Sequence, residues 1–132
     1  MRFRAQNAIN ILLGLLLLVA IFHVLIVIKI IPYNIAWGGR LKTDEQMFAF
    51  EGLSILINMI LVFILLEKGK YINYSIKEKT LDIILWIFMV LFIVNSVANL
   101  FAQTNLEKLF AVLTLASAFF IWVIIREKAN KY

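Results

Sequence analysis

The chain reads AINILLGLLLLVAIFHVLIVIKII at residues 8–31, and this stretch decides the fold. A helix needs about 20 mainly apolar residues to cross the hydrocarbon core of a bilayer, and the stretch is longer than that. Three further apolar runs follow at residues 47–66, 81–102 and 106–125. The sequence therefore predicts four membrane-spanning α-helices.

The composition leads to the same class of protein. Of the 132 residues, 64% are apolar, against roughly 45–50% in soluble domains. The excess apolar surface has to face lipid, because in water it would form an aggregating patch. There is no cysteine, which excludes disulfides and thiolate metal sites. The formal charge of +5 comes from basic residues at the helix ends, so no nucleic-acid partner is predicted.

Capping boxes of the form Ser/Thr-x-x-Glu/Gln predict where three of the helices begin. The boxes pair Thr43 with Gln46, Ser75 with Glu78, and Thr104 with Glu107. We expect one transmembrane domain, residues 1–132. Its predicted helices cover residues 8–31, 44–66, 76–102 and 105–126. The last connection is so short that the two helices it joins should be antiparallel.

Lysine and arginine are distributed unequally between the two sides of the predicted bundle. The two termini and the second connection carry nine of the thirteen. The opposite side carries four, namely Lys29, Arg40, Lys42 and Lys108. Because cytoplasmic segments are enriched in these residues, both termini should lie in the cytoplasm. We expect an antiparallel up-down four-helix bundle in the inner membrane of a bacterium, since abundant Ile, Lys and Asn are typical of AT-rich bacterial genomes.

One ionisable residue, Glu51, falls within the second predicted span. A charge at membrane depth is costly and is normally paired or placed in a wet cavity, so Glu51 is a candidate functional residue. Its possible partners are His23, Lys29, Arg40 and the amides of Asn95 and Asn99. The alternative is that Glu51 lies at the headgroup boundary and only pairs with Lys29 or Arg40.

Most of the other polar residues within the spans belong to the predicted outer half. Asn95 and Asn99 share one helical face, where they either line a site or hold helices together by hydrogen bonds. His23 is the only histidine, so no metal site is predicted, and it forms either an inter-helix hydrogen bond or a proton relay with Glu51. The candidate ligand-binding residues are Glu51, His23, Asn95, Asn99, Asn58, Thr114, Trp37 and Arg40.

The residues IPYNIAWGGRL at 31–41, the pair Phe50-Glu51 and residues 95–108 resemble short four-helix integral membrane proteins of bacteria. That group brings no known activity, so the resemblance implies the fold alone. A Trp-bearing outer loop followed by an acidic residue in helix 2 is also similar to the four-helix EXPERA domains, which bind or isomerise sterols. In contrast to that family, helix 1 here has no acidic residue.

Two functions fit these patterns. The first is binding or transport of a small or lipid-like molecule in an outward-facing semi-polar cavity. The second is a non-catalytic accessory or scaffold subunit, whose polar residues hold helices together within the chain, in a homo-oligomer or in a larger membrane complex. No hydrolase, zinc-protease or phosphate-loop motif occurs, so the sequence predicts neither an enzyme nor a cofactor. Membrane lipid is the predicted partner of the apolar outer surface.

Overall fold

Four α-helices make up the fold, and no strand occurs among the described residues. They are α1 (Ala5–Val27), α2 (Asp44–Lys68), α3 (Glu78–Leu100) and α4 (Asn105–Ala129). The computed structural model describes residues 4–129, with the side chains of all of them except Gly38, Lys128 and Ala129. The predicted all-α class with four helices is confirmed.

All four helices are long and apolar enough to cross a membrane. In the most apolar stretch of each, only between 22% and 33% of the residues are buried inside the protein. Leu17, Leu18 and Val112 are each more than 60% exposed, as are other large apolar side chains around the bundle. A helix that is apolar on its outer face as well as its inner face suits a lipid surrounding, so the fold is that of a multi-pass membrane protein.

The first helix ends at Val27, four residues before the predicted end. Lys29 adopts the left-handed conformation, with φ of 62°. The amide of Ile30 donates to the carbonyl of Leu25 at 2.9 Å, and that of Lys29 donates to Ile26 at 2.9 Å. This pair of bonds is a Schellman cap, and it turns the chain away from the helix axis before the apolar run is finished.

Two of the three predicted capping boxes are confirmed. The amide of Gln46 donates to Thr43 Oγ1 at 3.2 Å, and Thr104 Oγ1 accepts from the amide of Glu107 at 3.3 Å. The third box is wrong, because α3 begins at Glu78 itself and no side-chain bond caps it. Ser75, which was expected to cap the helix, instead has a left-handed backbone conformation with a φ of 59°.

A buried carboxylate explains that difference in the second connection. Glu67 is only 8% exposed, and its oxygens accept the amides of Tyr74 at 2.9 Å and Ile76 at 3.2 Å. These bonds fix the residues just before α3 in a non-helical path. The chain therefore enters the helix two residues later than the expected position 76.

The interior is divided into a large core and a small core. The large core collects residues from the first half of α1, the last part of α2, the first half of α3 and the last part of α4. Its members are Ala8, Ile9, Leu12, Leu16, Leu61, Ile64, Leu65, Leu81, Leu85, Phe88, Met89, Ala118, Ile121 and Ile124. The small core contains Ile26, Ala36, Leu41 and Met47. Since Ala36 and Leu41 belong to the first connection, that loop packs against the bundle.

The four helices are not packed equally tightly. α3 contacts α4 most extensively and α1 contacts both α2 and α4. Of these four neighbouring pairs, α2 and α3 share the least contact. At the large core α2 and α3 are joined by an ion pair from Lys68 to Asp82 at 2.5 Å. Toward the small core they leave a gap, and that gap positions the candidate site.

Candidate functional site

A cavity of about 270 Å³ lies between the large core and the small core. In α1 it begins at Leu15 and ends at His23, and in α2 it begins at Glu51 and ends at Leu61. Most of its wall is apolar or aromatic: Leu15, Leu16, Val19, Phe22, Ile57, Phe88, Phe92, Phe110 and Leu113. Its polar lining is His23, Glu51, Ser54, Asn58, Asn95, Asn99, Glu107, Thr114 and Ser117. An apolar pocket with a few convergent polar groups is the usual form of a small-molecule site.

The cavity opens sideways between α2 and α3. Ile57 of α2 is 41% exposed, and Asn95 of α3 is also exposed, yet both line the cavity. Ile57 lies thirteen residues into α2, which at 1.5 Å per residue is about 20 Å along a helix of membrane-spanning length. The opening is therefore on the side of the bundle and not only at its end.

Glu51 is completely buried at the loop end of the cavity, with 0% exposure. The indole Nε1 of Trp37 donates to Glu51 Oε1 at 2.7 Å, and Nδ1 of His23 is hydrogen-bonded to Glu51 Oε2. Of the partners expected from the sequence, the structure selects His23.

The alternative pairing of Glu51, with Lys29 or Arg40, is not observed. Lys29 pairs with Asp44 instead, at the start of α2. Arg40 is exposed and does not line the cavity. Arg40 is also the one candidate ligand-binding residue that the structure places away from the other seven, because the 3₁₀ turn before it directs Trp37, and not Arg40, at the bundle.

Trp37 is held in an unfavourable backbone conformation. It opens the 3₁₀ turn Trp37–Gly39 with a φ of 56°, a region that costs a non-glycine residue about 1–3 kcal/mol. Its bond to Glu51 and an edge contact with Phe50, at 5.2 Å between ring centroids, offset that cost. Gly39, with a φ of 71°, lets the chain complete the turn without a second strained side chain.

Several polar residues of the cavity wall are committed to the protein itself. Asn58 Nδ2 donates to the carbonyl of Leu16 at 3.0 Å and fastens α2 to α1. Thr114 Oγ1 donates to Phe110 in its own helix at 2.8 Å, and Ser117 Oγ donates to Leu113 at 2.8 Å. The donor hydrogens of these hydroxyls are therefore used, and only their acceptor lone pairs remain for a ligand. For Asn58 the expected role of holding helices together is observed.

Asn95 and Asn99 differ from Asn58 in this respect. Both line the cavity, and neither side chain makes a hydrogen bond to a described residue. The side chain that bonds α3 to α4 is instead Ser96, which is buried and donates to the carbonyl of Ala111 at 2.7 Å. An amide offers two donor hydrogens and one acceptor oxygen, so two complete sets of hydrogen-bonding groups face the cavity unused.

Sequence reasoning missed part of the wall. Phe88, Phe92, Asn95 and Asn99 form one helical stripe at spacings of four, three and four, and that periodicity would have linked the two aromatic rings to the amides. Glu107 was assigned only to its capping box, although it is 7% exposed and lines the cavity. Its capping function gave no signal that the same side chain also faces the site.

Within residues 4–129 no three His, Asp or Glu side chains come together to hold a metal ion. The polar lining consists of carboxylates, amides, hydroxyls and one imidazole set in an aromatic and aliphatic wall. That arrangement can bind an organic molecule through hydrogen bonds at one part and apolar contact at another. The chain matches no protein-family model, no curated protein and no solved structure.

Proposed function

We propose that the cavity binds a small amphiphilic molecule from the membrane. The single observation that carries this proposal is the pair of unused amides, Asn95 and Asn99, on the wall of an otherwise apolar cavity of about 270 Å³. A cavity of about 150 Å³ lined by apolar side chains is large enough for benzene, so this one accommodates a ring with a polar substituent. The polar group would lie against the amides and the apolar part against Phe88 and Phe92.

The position of the opening, on the side of the bundle, supports binding of a lipid-soluble molecule. The opening between α2 and α3 is bordered by Ile57 and Asn95, so an amphiphile dissolved in the bilayer reaches the cavity without crossing water. Passage through the protein is less well supported, because Leu61, Leu85 and Ile121 close the large core with 0% exposure. Binding is therefore the proposed activity, and transport would require that core to open.

The proposal includes an orientation. Four helices that alternate up and down through a bacterial cytoplasmic membrane would place both termini in the cytoplasm and the Trp37–Gly39 turn outside. The support is the distribution of lysine and arginine, nine against four, under the positive-inside rule. Of the nine, Arg2 and Lys131 lie outside the described residues, and the argument for them rests on sequence position alone.

Single-cysteine labelling tests the orientation cleanly, because the chain contains no cysteine. Lys42→Cys and Lys77→Cys place exposed thiols in the first and second connections. In intact cells, a membrane-impermeant maleimide should label Lys42→Cys and leave Lys77→Cys unlabelled until the cells are lysed. The opposite labelling pattern would invert the topology and place the cavity in the cytoplasmic half.

Native mass spectrometry of protein extracted from its own membrane tests the binding activity. We expect a bound small molecule on the wild-type chain and on Gln103→Leu, whose side chain is exposed and outside the cavity wall. Asn95→Leu combined with Asn99→Leu should lose that mass while the helices remain folded, since neither amide holds the bundle together. A stoichiometric protein partner and no small molecule would instead favour the accessory-subunit function.

A further inference from the structure

The charges on the cavity wall are of one sign. Glu51 and Glu107 line it, and among the described residues no lysine or arginine does. His23 is the only other titratable lining residue, and even as a cation it balances one carboxylate, the one to which it is hydrogen-bonded. Counted at formal charges, the wall is therefore negative by at least one unit. An anionic ligand would be repelled from this low-dielectric site, and a cation attracted.

The two carboxylates differ in how fully they are satisfied. Both oxygens of Glu51 are hydrogen-bonded, one to Trp37 and the other to His23. Glu107 accepts one bond from Thr104 Oγ1 at 2.7 Å, on Oε2, and its Oε1 accepts none from a described residue. Every fully enclosed side-chain oxygen or nitrogen among the described residues has a partner, so Oε1 of Glu107 is accessible. Glu107 is 7% exposed overall and lines the cavity, which makes this oxygen an open acceptor in a largely buried side chain.

Aromatic rings surround the same space. Phe22, Phe88, Phe92 and Phe110 all line the cavity, and Trp37 closes its loop end. Phe22 and Phe110 lie 4.9 Å apart between ring centroids, so rings from α1 and α4 meet on one wall. The electron-rich faces of aromatic rings attract organic cations, and quaternary ammonium groups are commonly recognised in this way.

We infer that the cavity selects a small organic cation, an amine or quaternary ammonium compound with an apolar body, and that Glu107 and the aromatic wall provide the selection. The inference rests on the proposed function, because it names the charge class of the ligand that the cavity binds. The cationic group would lie near Glu107 Oε1, and the apolar body would contact the phenylalanine rings. Asn95 and Asn99 would contribute hydrogen-bonding groups that do not discriminate by charge.

Three water-soluble probes of similar size test the inference: benzyltrimethylammonium, benzyl alcohol and benzenesulfonate. The protein would be placed in nanodiscs of neutral phosphatidylcholine, in a Trp86→Phe, Trp122→Phe background, so that Trp37 is the remaining tryptophan and reports on the cavity. We expect the ammonium compound to bind roughly tenfold more tightly than the alcohol, as a desolvated cation–aromatic interaction predicts. We expect no measurable binding of the sulfonate.

Two matched carboxylate substitutions locate the selection. Glu107→Gln should remove most of the preference for the ammonium compound and leave the affinity for benzyl alcohol unchanged. Glu45→Gln makes the same change at an exposed position of α2 outside the cavity, and it should retain the preference. If Glu107→Gln fails to fold, the comparison of the three probes on the unsubstituted cavity still decides whether the cavity selects a cation.

The possible outcomes separate the inference from the proposed function. Equal binding of the ammonium compound, the alcohol and the sulfonate would overturn the charge selection while supporting a binding cavity. Binding of none of the three at millimolar concentration would overturn both. Preference for the ammonium compound that persists in Glu107→Gln would overturn the role of Glu107 and leave selection to the aromatic wall.

Discussion

Where Leu12, Leu61 and Leu85 meet in the large core, each of the three side chains has 0% exposure, whereas the same four helices enclose a cavity of about 270 Å³ toward the small core. The large core is apolar and closely packed, and an ion pair from Lys68 to Asp82 joins α2 to α3 beside it. The cavity wall contains two buried carboxylates, a histidine and two amides that make no hydrogen bond to a described residue. The comparison separates a packed region that stabilises the fold from a region with space for the proposed ligand, since a well-packed region leaves no such space.

The largest expected loss of stability compares a leucine-to-alanine substitution in the large core with the same substitution on the cavity wall. Leu85→Ala removes a fully buried side chain from the large core and should lower the free energy of unfolding by about 2–5 kcal/mol. Leu113→Ala, on the cavity wall, should lower it by about 1 kcal/mol or less, because there is already empty space beside it. Denaturation in mixed detergent micelles measures both. Equal losses would mean that the two regions are equally tightly packed.

A smaller effect is expected for the bond that closes the loop over the cavity. Trp37→Phe removes the donor to Glu51 Oε1 and should cost about 1–2 kcal/mol, because a buried carboxylate oxygen loses its partner. The same substitution at Trp86, which is 50% exposed on the outer surface, should change the free energy of unfolding by less than about 0.5 kcal/mol. If the two variants unfold alike, the loop is not held by this bond.

The smallest expected change in the free energy of unfolding is at two serine or threonine positions before helices. Thr104 lies in the connection beside the cavity, and Ser75 lies in the connection beside the large core. Thr104→Ala removes an observed helix cap and should cost about 1 kcal/mol. Ser75→Ala should change the free energy of unfolding by only a few tenths of a kcal/mol, roughly the range of an ordinary surface substitution. A loss at Ser75 as large as that at Thr104 would show that Ser75 stabilises α3 in a way that its backbone path does not reveal.

The four helices were predictable because bilayer-length apolar runs have few other solutions. Their ends were less predictable. The cap after α1 uses Lys29 in the left-handed conformation, where glycine is the usual sequence signal. The start of α3 depends on Glu67, which lies in the preceding helix and is too far along the chain for a local pattern to reveal.

The members of the cavity were predictable in part. Seven of the eight candidate residues line it, because a polar residue within a span has to face the interior. The sequence did not predict which of these side chains hydrogen-bond within the protein and which do not, since Asn58 and Asn95 are both asparagines within apolar helices. Only the helix rotation in the folded bundle places Asn58 against Leu16 and leaves Asn95 at an opening. Arg40 follows the strained turn at Trp37 and does not line the cavity.

The unequal contact between neighbouring helices also has a consequence for biogenesis. α3 and α4 are joined by residues 101–104 alone and share the most extensive contact in the bundle. They can therefore leave the translocon as a hairpin that is already paired, in keeping with independent insertion followed by lateral association. The seam between α2 and α3, which has the least contact of the neighbouring helix pairs, should then form last. A photo-crosslinking series on arrested nascent chains should accordingly detect the contact between α3 and α4 before any contact between α2 and α3.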